Sequence, residues 1–178
     1  LGSQEGLVFF NMKNRKVEVY KSALGIPSSL NHSKILSLYK DNQGILWIGT
    51  LKGVNKYFPE KIEKSRVENG VIAKNTVISF ASDQLKNLYI GTWGNGVYQF
   101  NSKNNDLLPL INKKADQGIP DERIWSLQAH GRKLWVGTFE KGMFCYDFLN
   151  HEMSRVSLGN DKAKTRRIPA MCLVNEQY

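Results

Sequence analysis

One phrase recurs in this chain and limits what it can fold into. It reads Trp47-Ile48-Gly49-Thr50, Tyr89-Ile90-Gly91-Thr92 and Trp135-Val136-Gly137-Thr138, with Leu1-Gly2-Ser3 as a clipped first copy. The leading glycines stand at 2, 49, 91 and 137, at intervals of 47, 42 and 46 residues. A period of that size marks arrays in which one repeat is one supersecondary unit, unable to bury its apolar surface alone.

Each copy continues alike. A second glycine is followed by an apolar residue and then an aromatic, in Gly6-Leu7-Val8-Phe9-Phe10, Gly53-Val54-Asn55-Lys56-Tyr57, Gly96-Val97-Tyr98-Gln99-Phe100 and Gly142-Met143-Phe144-Cys145-Tyr146. Two short strands around a glycine-bearing turn read as a hairpin. Ahead of the three full phrases run Ile35 to Tyr39, Val77 to Ala81 and Ile124 to Gln128, with Ser37, Ser79 and Ser126 in common register. Turn-forming residues join these runs to the phrase: Asp41 to Gly44, Asp83 to Asn87 and His130 to Lys133. A fourth run closes the unit, as in Lys16 to Tyr20 and Glu152 to Val156.

Four short strands per repeat, without helical periodicity, predict an all-β chain of four-stranded antiparallel blades. Their inner strands are apolar at successive positions because each sheet packs on both neighbours, which is the β-propeller solution. The units run approximately 1–34, 35–76, 77–123 and 124–169, with 170–178 starting or completing a further blade, Cys172 taking the register of the serines. The reading favoured is about four repeats of a larger propeller; a small closed ring of four is the alternative.

The first glycine of each pair packs closely on a neighbouring sheet and the second turns the chain, a more economical account than a phosphate cradle, since Gly91-Thr92-Trp93-Gly94-Asn95-Gly96 lacks the dinucleotide spacing. Trp47, Tyr89 and Trp135 are expected to pack between blades. Cys145 and Cys172 have neither zinc nor redox spacing and are expected as buried thiols. No metal site or cofactor is expected. The formal charge of +9 is spread over turns and strand ends, concentrating only at Lys162, Lys164, Arg166 and Arg167, which reads as a solvated loop and not as a nucleic-acid surface. No apolar run reaches the length of a membrane span, so no membrane contact is expected of this segment.

In a propeller, the loop leading into the innermost strand and the loop between the second and third strands emerge at the same end of each blade. There the chain carries Asn31, His32, Asn75, Asp121 and Arg123 in the first set, and Trp93 and Phe139 in the second. These seven are the candidate ligand residues. Trp93 and Phe139 stand outside the packing register, and offer either a flat platform for a ligand or a packing role under a loop. Adjacent Asp121 and Glu122 do not converge as an acid and base pair, so no catalytic residue is assigned.

The stretch from Ile35 to Thr50, with its Asp-Gly turn, its Leu-Trp-Ile-Gly-Thr phrase and the Gly-Val-x-x-aromatic that follows, resembles the two-component regulator propeller repeat. Gly25-Ile26-Pro27 and Gly118-Ile119-Pro120 match that family's Gly-Leu-Pro lead-in, and Ile168-Pro169 matches it in part; Tyr89 in place of Trp is a departure. The resemblance implies a periplasmic or extracellular sensor segment of a bacterial membrane-bound regulator, commonly a hybrid histidine kinase responding to glycan breakdown products. Its expected partners are an oligosaccharide ligand and either a second copy or neighbouring blades. A propeller enzyme acting on polysaccharide and a structural spacer are the other readings.

Overall fold

The computed structural model describes residues 1–26, 28–58, 61–64, 75–102, 106–111, 118–157 and 167–172. Fourteen strands account for its regular structure among these residues. By contacts the chain divides into two compact units, Leu1–Ile78 with Asn101–Leu107, and Ser79–Phe100 with Leu108–Tyr178.

In the first unit β1 (Leu7–Phe10) and β2 (Val17–Tyr20) form a two-stranded sheet, and β3 (Ile35–Lys40), β4 (Leu46–Thr50), β5 (Gly53–Phe58) and β6 (Lys61–Lys64) form a four-stranded meander in chain order. Leu7, Leu30, Ile35 and Ile48 make the core between them. Phe9 meets Tyr57 at 4.5 Å between ring centroids, joining the two sheets.

The second meander runs β7 (Val77–Ser82), β8 (Leu88–Thr92), β9 (Val97–Asn101) and β10 (Asp106–Ile111), and lies largely in the second unit. The third, wholly in that unit, runs β11 (Ile124–His130), β12 (Lys133–Thr138), β13 (Met143–Asp147) and β14 (Glu152–Val156). The second unit's core joins Tyr89, Val97 and Ile119 to Ile124, Leu134, Val136, Phe144 and Tyr146. The sheets are antiparallel propeller blades, as the repeat requires.

The glycine and serine of each repeat form one device. A Cβ at Gly49, Gly91 or Gly137 would overlap the Oγ of Ser37, Ser79 or Ser126 on the adjoining strand, and would also crowd Val77 and Ile124 of the next inner strands or, for Gly137, Ile168 of the irregular last segment. Glycine is therefore required by two neighbours at once. Ser37 Oγ donates to Val77 O at 3.4 Å and Ser126 Oγ to Ile168 O at 2.7 Å, whereas Ser79 Oγ is buried without a partner.

These contacts correct the register of the last segment. Ile168 takes over Gly137 the place that Val77 and Ile124 take over their glycines, and its amide donates to Thr138 O as that of Ile35 does to Ser3 O. Ala170, and not Cys172, is then the counterpart of the serines, and Ile168-Pro169 is not the Gly-Leu-Pro lead-in. Residues 170–172 are irregular, and the remainder of the strand expected at 170–178 lies outside the described residues. Cys145 is buried as expected, and burial pushes its thiol pKa up; Cys172 is exposed, contrary to expectation.

The departure at Tyr89 has a physical reason. Trp47 Nε1 donates to Asp41 Oδ2 at 2.8 Å, and Tyr89 OH donates to Asp83 Oδ2 at the same distance. Either ring reaches the same turn carboxylate, six residues back, while filling the core. Burial first, and then the bond to Asp83, push the Tyr89 hydroxyl far above its ordinary pKa. In the third meander the turn shortens to Gly131 and Arg132, and Trp135 is only half-buried, under the Lys133 ammonium.

Candidate functional site

The end of each blade that carries the Gly-Thr hairpin is built by one hydrogen-bond circuit. Thr50, Thr92 and Thr138, all fully buried, donate their hydroxyls to Gly53 O, Gly96 O and Gly142 O at 2.8, 2.9 and 2.8 Å. Each hydroxyl oxygen also accepts an amide of the turn, from Lys52, Asn95 and Lys141. Ser3 does the same in the clipped copy, donating to Gly6 O at 2.8 Å and accepting from the Glu5 amide. The circuit satisfies one carbonyl and one amide of each turn, and amides of the turn also bond the neighbouring loop, as Gly94 and Gly96 do to Glu122 O, which fixes where the residue after the threonine emerges.

In the second unit those emerging residues are Trp93 and Phe139, with ring centroids 4.7 Å apart at an interplanar angle of 67°. A third ring, that of Trp125, packs 4.9 Å from Phe139 and 6.3 Å from Trp93. Trp125 sits at a β-bulge: Ile124 pairs with Thr138 but Ser126 pairs with Gly137, so an extra residue stands between them. Bulges re-aim side chains, and in an inner strand that is apolar at successive positions nothing in the sequence from Ile124 to Gln128 marks this residue out.

Arg123 lies beside the rings, its Cζ 4.8 Å from the Phe139 centroid and 5.9 Å from that of Trp93. Arg167 stands 4.7 Å from the Phe139 centroid. Asp121 holds Arg123 in place, its carboxylate accepting from the Arg123 amide at 3.1 Å, from Nε at 2.9 Å and from Nη2 at 3.4 Å, and from the Glu140 amide at 2.8 Å. Arg123 Nη2 also donates to Glu140 Oε2 at 2.7 Å. Burial pushes the Asp121 carboxyl up, but the bonds from Arg123 and Glu140 outweigh it and hold the group below its ordinary range. Trp93 is 37% and Arg123 33% exposed, whereas Trp125 and Phe139 are half-buried.

Four of the seven predicted residues, Trp93, Phe139, Asp121 and Arg123, thus form one cluster in the second unit. Asn31, His32 and Asn75 belong to the first unit. There Asn31 is committed to the fold: its amide donates to Asn55 Oδ1 at 3.1 Å and its Nδ2 to Val54 O at 3.1 Å. His32 Nδ1 accepts the Lys34 amide at 2.9 Å, which places the ring proton on Nε2. Asn75 receives the Gly53 amide on its backbone carbonyl at 2.8 Å. Among the described residues no group of three or more His, Cys, Asp or Glu side chains could hold a metal ion.

Residues 29–52, which hold the bulge, the Asp-Gly turn and the Trp47 phrase, match the two component regulator propeller family. A histidine kinase of Formosa agariphila is 32% identical over 77 residues, covering 43% of this chain and 6% of that protein. Two extracellular domains of hybrid two-component systems from B. thetaiotaomicron are similar in fold, each with a TM-score of 0.74 at 19% identity. One alignment covers 88% of this chain and 23% of that domain, the other 94% and 22%. Virginiamycin B lyase from Staphylococcus aureus shares the fold at a TM-score of 0.58 and 10% identity, over 80% of this chain and 45% of the lyase. The chain therefore spans under a tenth of the curated relative and about a quarter or less of the two extracellular domains.

Proposed function

We propose that this chain, built of two-component regulator propeller repeats, is the ligand-sensing segment of a longer membrane-bound regulator, and that its Trp93, Trp125, Phe139 and Arg123 face takes a glycan-derived oligosaccharide. The segment would lie in the periplasm, with kinase chemistry carried elsewhere in the polypeptide. The observation that carries this reading is the exposed Trp93 ring, packed with Trp125 and Phe139 and standing beside the Arg123 guanidinium group. A pyranose stacks its C–H face on a flat ring, while hydroxyls take hydrogen bonds from the charged groups beside it. Asp121 serves as the support: with its acceptors filled and its pKa held low, it orients Arg123 and has no proton to exchange at neutral pH.

A polysaccharide-acting enzyme would need a carboxylate or histidine free to move a proton toward a substrate, and Asp121, held by Arg123 and the Glu140 amide, is not placed for that role. Calorimetry with a panel of oligosaccharides, on this chain and on the intact regulator, is the test. Replacing Trp93 or Trp125 with Ala is expected to weaken binding about ten-fold or more, about 1.4 kcal/mol, with the thermal midpoint little changed for Trp93→Ala. Unaltered affinity in both variants would place the ligand elsewhere and reduce this surface to packing.

A further inference from the structure

We propose that a cleft between the second and third meanders, at the end of the blades opposite the Trp93 surface, is a binding site for a small uncharged aromatic molecule bearing a hydroxyl, a phenol being the simplest. Its ring takes the place that a phenylalanine ring fills in the first unit. The site does not depend on the sensing reading.

The cleft measures about 480 Å³ and is lined by residues of the second unit alone, a size ordinary for a small-molecule site. Tyr89, Tyr146, Phe148 and Leu110 give it ring and apolar walls, and Gln99 and Arg132 are among its polar residues. The turns that border it, β7–β8, β11–β12 and β13–β14, leave their meanders at the end opposite the β8–β9 and β12–β13 hairpins. It is therefore separate from the Trp93 surface.

The repeat explains why a cleft stands there. Leu7 pairs with Gly2 and Val97 with Gly91, so Phe9 and Gln99, each two residues on, hold one repeat position. Tyr57 and Tyr146 hold another, each paired with the leucine that opens the Gly-Thr phrase. In the first unit the Phe9 ring lies 4.5 Å from that of Tyr57 and 5.4 Å from that of Tyr20. In the second an amide replaces that ring, while Phe148 stacks on Tyr89 at 5.0 Å and meets Tyr146 edge-on at 5.8 Å. An added ring would extend this stack as Phe9 does its own.

The polar lining selects against charge. Asp83 already accepts from the Asn87 amide at 2.8 Å, from Asn87 Nδ2 at 2.7 Å and from Tyr89 OH at 2.8 Å. Arg132 is paired with Asp147 at 3.1 Å, and Tyr146 OH is bonded to His151 Nδ1 at 3.0 Å. Gln84 and Gln99 are different: their side-chain amides bond no group among the described residues. A ring stack beside two available amides suits a neutral hydroxyl, whereas an ion would be desolvated there without a free counter-charge.

The test is an NMR titration of the 178-residue chain with 4-methylphenol, 4-methylcyclohexanol and 4-methylbenzoate, following the Gln99 side-chain amide. The phenol is expected to shift that resonance saturably, and to bind about ten-fold or more tightly than the aliphatic alcohol or the carboxylate. Gln99→Phe, which refills the cleft from within, is expected to abolish the binding and raise the melting temperature. Gln99→Leu keeps the side chain's size without its amide, and is expected to weaken the phenol about five-fold or more. Absence of a saturable shift would overturn the proposal, as would equal binding of the three probes or unaltered affinity in the Gln99 variants. Trp93→Ala is expected to leave the phenol's affinity unchanged; a loss in that variant would assign the probe to the other end of the blades and overturn the site.

Discussion

Leu51 in the first unit and Trp93 in the second follow the same Gly-Thr turn, closed by the same pair of bonds through the threonine hydroxyl. Leu36 and Trp125 occupy the same bulge of the inner strand. One unit places aliphatic side chains at these positions, and the other places indole rings beside an arginine. The backbone circuit is thus common property, and the chemistry is decided by a few residues that the circuit presents. Scaffold and site are written at different positions of one repeat.

The largest effect should come from attacking the shared scaffold. Gly91→Ala drives a Cβ into Ser79 Oγ and Ile124, and overpacking of that kind is expected to cost about 3 kcal/mol. Urea unfolding should show it, and Ser79→Gly in the same chain should restore part of the loss. A Gly91→Ala chain as stable as the parent would deny that the glycine and serine act as one device.

Next in size is the threonine circuit. Thr50→Val and Thr92→Val each remove the hydroxyl bond to a buried carbonyl and leave a turn amide, that of Lys52 or Asn95, without its acceptor, and each should cost about 1–3 kcal/mol. The comparison predicts similar losses from the two units. A marked inequality in chemical denaturation would mean that the residues after the turn contribute to its closure.

Asp121 separates scaffold from site in a third way. Its folded-state pKa lies below the ordinary carboxylate value, so its contribution is present above that value and is lost as pH falls through the lowered one. Across that window the unfolded chain binds more protons, and stability rises with pH. Asp121→Asn has nothing to titrate and should flatten the acid limb below about pH 4, as measured by thermal midpoints along a pH series. An unchanged acid limb would show that other carboxylates carry it.

Much of this was legible in the residues. The intervals between glycines, the serine register through 126 and the Thr-bearing hairpins dictate the blade, because sheet packing leaves those positions almost no choice. The substitution of Tyr89 for Trp looked irregular only because letters differ where the bond to the turn aspartate does not. The site was half legible. Trp93 and Phe139 stand out after the turn, but Trp125 is concealed in an inner strand that is apolar at successive positions. Asn31 reads as an available amide until the fold commits it to Asn55 and Val54. The register of Cys172 failed because sequence spacing cannot tell Ile168 as a lead-in from Ile168 as the residue that covers Gly137.

The smallest expected effect concerns the serines. Ser126→Ala removes a 2.7 Å bond to Ile168 O and should cost about 1 kcal/mol, whereas Ser79→Ala removes a hydroxyl that has no partner and should cost almost nothing. Equal losses in matched unfolding curves would mean that Ser79 finds an acceptor in solution.

The closed threonine circuit carries one more consequence. Because the threonine hydroxyl makes the same two bonds in every turn whatever side chain follows it, the position just after the threonine tolerates different residues. Gln4, Leu51, Trp93 and Phe139 fill it in the four copies. A lineage could therefore recompose the candidate surface by exchanging single side chains at this position, while the bonds from the turn to the neighbouring loop keep the backbone in place. Diversity of recognition would then grow by recombination inside one gene, at a rate set by the number of blades.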